Sequence, residues 1–258
     1  MNVLTVLTVL LFILMLVVGG KKGARSFAVL FLNFIILFGG IVFMTNPEAQ
    51  PLVITFVACT LIAAATLFII NEWSSKSITA FVSTMLTIAV LLVFISFVTN
   101  HTMIQGFGEE EIEELGSFSI LIGLDFTQIA ASVIVMSTIG AIADTAISIT
   151  SPMQELYKQH RDANVKRLFL FGMKIGRDIL GTNANTLFFA FFGGQLALLI
   201  WFKDLSYTLG EMVNAKVFAN ELITIFCAGI GVALIIPITA ILSALHLVHE
   251  SRKKDRNP

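Results

Sequence analysis

Seven apolar stretches dominate this sequence, and each approaches or exceeds the ~20 residues that a helix needs to cross a lipid bilayer. They fall at about residues 2–18, 26–44, 51–70, 78–98, 120–150, 183–202 and 220–248. Hydrophobic residues make up 57% of the 258 positions and charged residues only 13%, against about 25% charged in a soluble domain. So few charges cannot cover a water-facing surface. A soluble globule, a disordered chain and a collagen-like repeat are therefore excluded. The expectation is an all-α polytopic membrane helical bundle, with about seven transmembrane helices in one transmembrane domain over residues 1–258. The first stretch reads as a span and not as a cleaved signal peptide. Its start lacks positive charge, and its basic residues follow the apolar run. Cys59 and Cys227 both sit in apolar runs, which implies no disulfide framework.

Orientation follows from the basic residues between spans. With the N-terminus outside, the inner segments hold Lys21, Lys22, Arg25, Lys76, Lys158, Arg161, Lys166, Arg167, Lys174, Arg177, Arg252, Lys253, Lys254 and Arg256. The outer side keeps only Lys203 and Lys216. That asymmetry, fourteen against two, predicts an N-out/C-in chain.

Two connectors carry more than a turn. The outer acidic loop, residues 100–119, holds Glu109, Glu110, Glu111, Glu113 and Glu114. These carboxylates can form a cation-attracting vestibule, although an ordinary solvated turn accounts for them as well. The inner loop, residues 151–182, is expected to be helical. Its opening Ser151-Pro152-Met153-Gln154 resembles an N-cap, Pro at N1 and Gln at N3. A new helix is therefore expected there, with the preceding span ending near Thr150. Pro47 and Pro51 bracket a short outer turn, and Pro237 should kink the last span.

An ionisable side chain at membrane depth costs ~2.5–3.5 kcal/mol on insertion scales, so each one is a functional candidate. Asp144 stands first. Ser137, Gly140, Asp144, Ser148 and Ser151 are spaced to form one polar, small-residue stripe on a helix. A packing face with a satisfied carboxylate is the competing account. Asp125, 19 residues earlier, belongs near the outer end. The second cluster is Lys174, Arg177, Asp178, Thr182 and Asn185, around the start of the sixth span. Gly172, Gly176 and Gly181 would let this stretch kink or re-enter the membrane. Ordinary basic flanks explain Lys166 and Arg167. The third candidate is Glu221, at the outer start of the last span.

His101, His160, His246 and His249 form no zinc pattern, and no metal site is expected. Walker A, His-Glu-x-x-His, Gly-x-Ser-x-Gly and Rossmann sequences are absent. No soluble portion is large enough to hold a nucleotide. No cofactor, no enzymatic activity and no nucleic-acid partner are therefore expected.

Three stretches carry a family resemblance. They are Gly140-Ala-Ile-Ala-Asp144-Thr-Ala-Ile-Ser148-Ile-Thr-Ser-Pro152, Gly172-Met-Lys-Ile-Gly176-Arg177-Asp178-Ile-Leu-Gly181-Thr182-Asn-Ala-Asn185-Thr186-Leu, and Gly229-Ile-Gly231-Val-Ala-Leu-Ile-Ile-Pro237-Ile-Thr239-Ala. Over about residues 137–246 the chain resembles the YibE/F-like family of bacterial integral membrane proteins. The resemblance implies a multi-pass protein of the bacterial plasma membrane. It further implies the shorter, YibF-like member of a pair, with a longer YibE-like companion as partner.

The leading expectation is a component of a membrane transporter or permease, handling a small solute or ion at a polar intramembrane site. That site would comprise Asp144, Ser148, Arg177, Asp178, Thr182, Asn185 and Glu221. Asp144 and Arg177 would form an ion pair that protonation or a small cation breaks. The alternative is a non-transporting assembly or scaffold partner of a YibE-like protein, with the Gly-Ala-Ser stripe as its docking face.

Overall fold

The computed structural model describes residues 2–46, 48–102, 125–161 and 163–254. Pro47 and the acidic residues Glu109 to Glu114 lie outside the described residues, as does the start of the expected fifth span. Among the described residues all regular structure is helical. The order is α1 (Val3–Met44), α2 (Pro51–Ala64) running into a π-helix (Ala65–Ile70), α3 (Ser75–Thr102) and α4 (Phe126–Gln159). Then come α5 (Val165–Gly194), α6 (Leu196–Asp204), α7 (Leu209–Asn214) and α8 (Lys216–Lys254). Five of these elements, α1 to α4 and α8, are long and apolar enough to cross a membrane, and the bent pair α5–α6 passes the same test only when taken together. The protein is an all-α polytopic membrane bundle.

The helix α1 is not one rod. Gly20 breaks it with φ 55° and ψ −137°, a backbone region open essentially to glycine alone. Phe12 and Phe27 bring their ring centroids to 4.9 Å, whereas fifteen residues of straight helix would separate them by about 22 Å. The chain therefore doubles back, and residues 3–19 lie against the start of residues 21–44. Gly23 makes the close approach: a Cβ there would stand 1.8 Å from the Met15 carbonyl oxygen.

The core is built around α4. Its buried face, including Ile134, Val135, Ile142 and Ala146, packs with Ile88, Leu91 and Ile95 of α3 and Ile235 of α8. At Gly231 the three helices α3, α4 and α8 meet most closely, since a Cβ there would lie 2.9 Å from Leu91 Cδ1 and 3.1 Å from Ile142 Cδ1. Hydroxyl side chains in this core mostly turn back on their own helices. Thr79, Ser83, Thr87 and Thr145 each donate to the carbonyl four residues earlier. That satisfies the hydroxyl proton where lipid offers no partner.

One end of the bundle is pinned by polar links. Lys22 Nζ donates to Asn71 Oδ1 at 3.0 Å, Arg25 pairs with Glu72 at 2.6 Å, and Ser75 Oγ lies 2.7 Å from His246 Nε2. The α4–α5 turn, with Lys158, Arg161, Lys166 and Arg167, belongs to this basic end. Lys203 and Lys216 belong to the opposite one.

The connector between α4 and α5 differs from expectation. No new helix begins at Ser151; α4 continues through Pro152 to Gln159. Proline lacks an N–H, so Ser148 keeps a carbonyl without its intrahelical donor. Both residues are exposed, and the helix tolerates the loss there. Asn164 then caps α5, its side chain accepting from the Arg167 N–H at 2.9 Å. Helix α5 is unbroken from Val165 to Gly194, so Gly172, Gly176 and Gly181 produce neither a kink nor a re-entrant turn. Gly172 and Gly176 are instead contact points: Cβ atoms there would meet Met153 Sδ at 2.6 Å and Ile236 Cγ2 at 2.1 Å. The bend comes later, 50° between α5 and α6, after the Gly193-Gly194 pair.

Candidate functional site

Asp144 sits near the middle of α4, 18 residues after Phe126 and 15 before Gln159. On this helix Ser132, Ile139, Ile142, Thr145 and Ile149 are buried, whereas Val133, Ser137, Gly140, Asp144 and Ser148 are exposed. The 3.6-residue period thus divides α4 into a core face and an open polar stripe. A Cβ on Gly140 would find no heavy atom within 4 Å, so among the described residues no neighbouring helix closes over the stripe there. The orphaned Ser148 carbonyl, left by Pro152, lies on the same side and adds an acceptor one turn below the carboxylate.

Among the described residues Asp144 has no hydrogen bond and no ion pair. The expected pairing with Arg177 is not formed, and the reason lies in the wheel of α5. Gly172, Gly176 and Asn183 share the face that packs on α8 and α4. At 100° per residue, Lys174, Asp178 and Asn185 fall on the far side, while Arg177 falls about 120° and Thr182 about 100° from Asn183. All five are exposed. The charged face of α5 therefore points away from α4 and away from Asp144.

Glu221 does not converge on Asp144 either. Gly231 of α8 lies level with Ile142 of α4. Glu221 is ten residues before Gly231, and Asp144 is two after Ile142. The two parallel helices therefore hold these carboxylates about 18 Å apart along the bundle. Of the other six expected residues, only Ser148 shares the stripe of Asp144.

The polar link that does join α4 to α5 was missed in the sequence. Asn183 Nδ2 donates to Thr145 Oγ1 at 2.8 Å, directly beside Asp144. A buried-facing Thr next to an exposed Asp gives little signal until the facing helix is known. Ser75 and His246 were also missed as a pair, being 171 residues apart in sequence. Glu250 Oε2 lies 3.7 Å from the same Nε2 of His246. A nucleophile relay needs serine and carboxylate on opposite ring nitrogens, so this arrangement does not assemble one.

Toward the opposite end the stripe opens into an apolar cleft of about 380 Å³. Leu37, Ile41 and Met44 of α1 line one wall, and Val133, Met136 and Ser137 of α4 the other. Among the described residues the site is thus an open face: a greasy cleft, then Gly140, then a carboxylate without a partner, then a free carbonyl.

No curated protein and no solved structure matches this chain. A family model described as YibE/F-like protein matches residues 7–249. That match takes in all the helices whose packing builds the stripe, and the chain belongs to the YibE/F-like family.

Proposed function

We propose that this protein is a membrane-embedded subunit of a transporter or permease, whose polar site at Asp144 is completed by another polypeptide. The observation that carries the reading is the exposure of Asp144 and Ser148 in the middle of a membrane helix, with no partner among the described residues. A bare charge facing lipid costs ~2.5–3.5 kcal/mol. Cover by a second chain removes that cost, and a polar surface trapped between two chains is a path for a small solute or ion. The covering chain, in this reading, is a longer YibE-like companion in a bacterial plasma membrane. In this reading the basic end faces the cytoplasm, which makes the chain N-out/C-in.

The test uses the assembled complex in proteoliposomes. Asp144→Asn should lower flux at least tenfold while leaving expression unchanged; normal flux would remove the reading. Arg177→Gln serves as a control on a face that points away from the stripe. A second reading, a non-transporting scaffold, draws on the open space at Gly140. Loss of the complex on Gly140→Leu, with no flux attributable to the wild-type complex, would favour it.

A further inference from the structure

The inner ends of α3, α4 and α8 enclose a second polar place, on the side of α4 turned away from Asp144. A space of about 10 Å³ is lined there by Ser75, Thr79, Thr150, Gln154, Ser243 and His246. Ser243 is 2% exposed, and its Oγ has no hydrogen-bond partner. A buried hydroxyl without a partner is costly, and nearly all such groups in native proteins are satisfied by protein or by ordered water.

The hydrogen inventory says what fits. Thr79 Oγ1 donates to the Ser75 carbonyl at 2.9 Å, and Thr150 Oγ1 donates to the Ile147 carbonyl at 3.3 Å. Their protons are committed, so both oxygens offer only lone pairs to the space. Ser243 offers a free proton and lone pairs. A molecule with two protons and two acceptor sites satisfies all three. The volume suits one water, which needs about 10–15 Å³ and typically makes ~3 hydrogen bonds. Lys76 also lines the space, and its ammonium opposes a metal cation.

The polar lining continues inward. Helices α3 and α8 run antiparallel, with Ser75 against His246 and Leu91 against Gly231. That register sets Thr79 level with Ser243 and Thr84 level with Thr239. Thr84 and Thr239 are both fully buried, and both hydroxyl oxygens lack partners. One turn deeper on α8, about 40° round the helix from Ser243, the unsatisfied Thr239 hydroxyl continues the same face, whereas Thr84 lies about 140° round α3 from Thr79.

We propose that the α3–α4–α8 seam is a water inlet, with one ordered water bound at Ser243 and its mouth at the Ser75–His246–Glu250 cluster of the basic end. The ligand is water and, carried by it, the proton; Thr239 is the next relay position. This does not depend on the role given to Asp144.

Two measurements on the full chain test it. In hydroxyl-radical footprinting of the detergent-solubilised protein, Leu247 also borders the space and should be oxidised several-fold faster than Ile62. The two are equally covered, at 7% and 6% exposed, and each packs in an apolar cluster, but only Leu247 borders the space. Equal rates would overturn the proposal. Ser243→Ala should lower the melting midpoint and slow Leu247 oxidation, because a bound water loses its anchor. A midpoint that is unchanged or raised marks a dry, unsatisfied hydroxyl and overturns it. A midpoint that rises when sodium replaces choline, and does so only with Ser243 intact, would overturn water in favour of a cation.

Discussion

Asn183 and Thr145 clasp α5 to α4: the Asn183 amide donates a 2.8 Å hydrogen bond to Thr145 Oγ1, whose own proton goes to the Ala141 carbonyl at 2.7 Å. The clasp fixes the rotation of α4 beside its carboxylate stripe. Thr145→Val keeps the shape, removes the acceptor and strands the Asn183 amide. Interhelical bonds of this kind in membranes are worth about 0.6 kcal/mol on average and up to about 1.7. A loss of about 1 kcal/mol is expected, read by reversible unfolding in mixed micelles. A variant as stable as wild type would show that the clasp contributes nothing net.

The glycines of α5 separate into two kinds, and stability should separate them too. At Gly176 a Cβ would stand 2.1 Å from Ile236 Cγ2, while at Gly181 and Gly140 it would meet nothing within 4 Å. Gly176→Ala should destabilise the α5–α8 contact by about 1–3 kcal/mol, the usual cost of overpacking. Gly181→Ala should be neutral or stabilising by up to about 1 kcal/mol, from helix propensity alone. The same unfolding assay decides, and the reverse order would contradict the packing described above.

The reversal in α1 rests on one residue. Gly20 at φ 55° and ψ −137° holds a conformation that costs a residue with a Cβ about 1–3 kcal/mol. Gly20→Ala should therefore open the hairpin. Spin labels at positions 12 and 27, close in the native chain, would report a longer distance. An unchanged distance would mean that contacts elsewhere, not Gly20, impose the fold-back.

The Arg25–Glu72 pair gives a pH dependence with a definite sign. The Arg25 guanidinium, by hydrogen bond and then by charge, holds the Glu72 carboxyl below the ordinary glutamate range. A depressed carboxyl stabilises the folded state above its unfolded value, and that contribution is lost as pH falls through the lower folded value. The clasp between α1 and the α2–α3 turn should thus persist through neutral and mildly acid conditions. It should loosen only at pH below the usual glutamate range. Glu72→Gln should remove this acid step. Both groups are exposed, so the step should also shrink in high salt.

Hydropathy made most helices legible, because lipid imposes one length scale on every span. Charge asymmetry likewise foretold which residues gather at one end. Three features were not legible, each for a physical reason. Ser151-Pro152 has the composition of a helix start, but an exposed face lets α4 carry a proline and leave one carbonyl bare. The glycines of α5 look like hinges in isolation; only α8 lying against them shows that they are contact points. Asp144 and Arg177 invited pairing because both are charges near the membrane. A one-dimensional pattern gives each helix its own faces but not their mutual rotation, and here the rotation set by Asn183 turns Arg177 outward. Of the expected residues, Asp144 and Ser148 stand together on the exposed stripe that begins at Ser137.

The fold-back at Gly20 has one more consequence. All the buried residues of α1 lie after it: Gly23, Val29, Gly40 and Met44. The preceding arm is an outrigger, tethered at its pivot and surrounded by hydrocarbon on nearly every side. A lipid-exposed span can accommodate a thinner bilayer by tilting, so shortening the acyl chains should swing the arm while the remainder of the bundle keeps its shape.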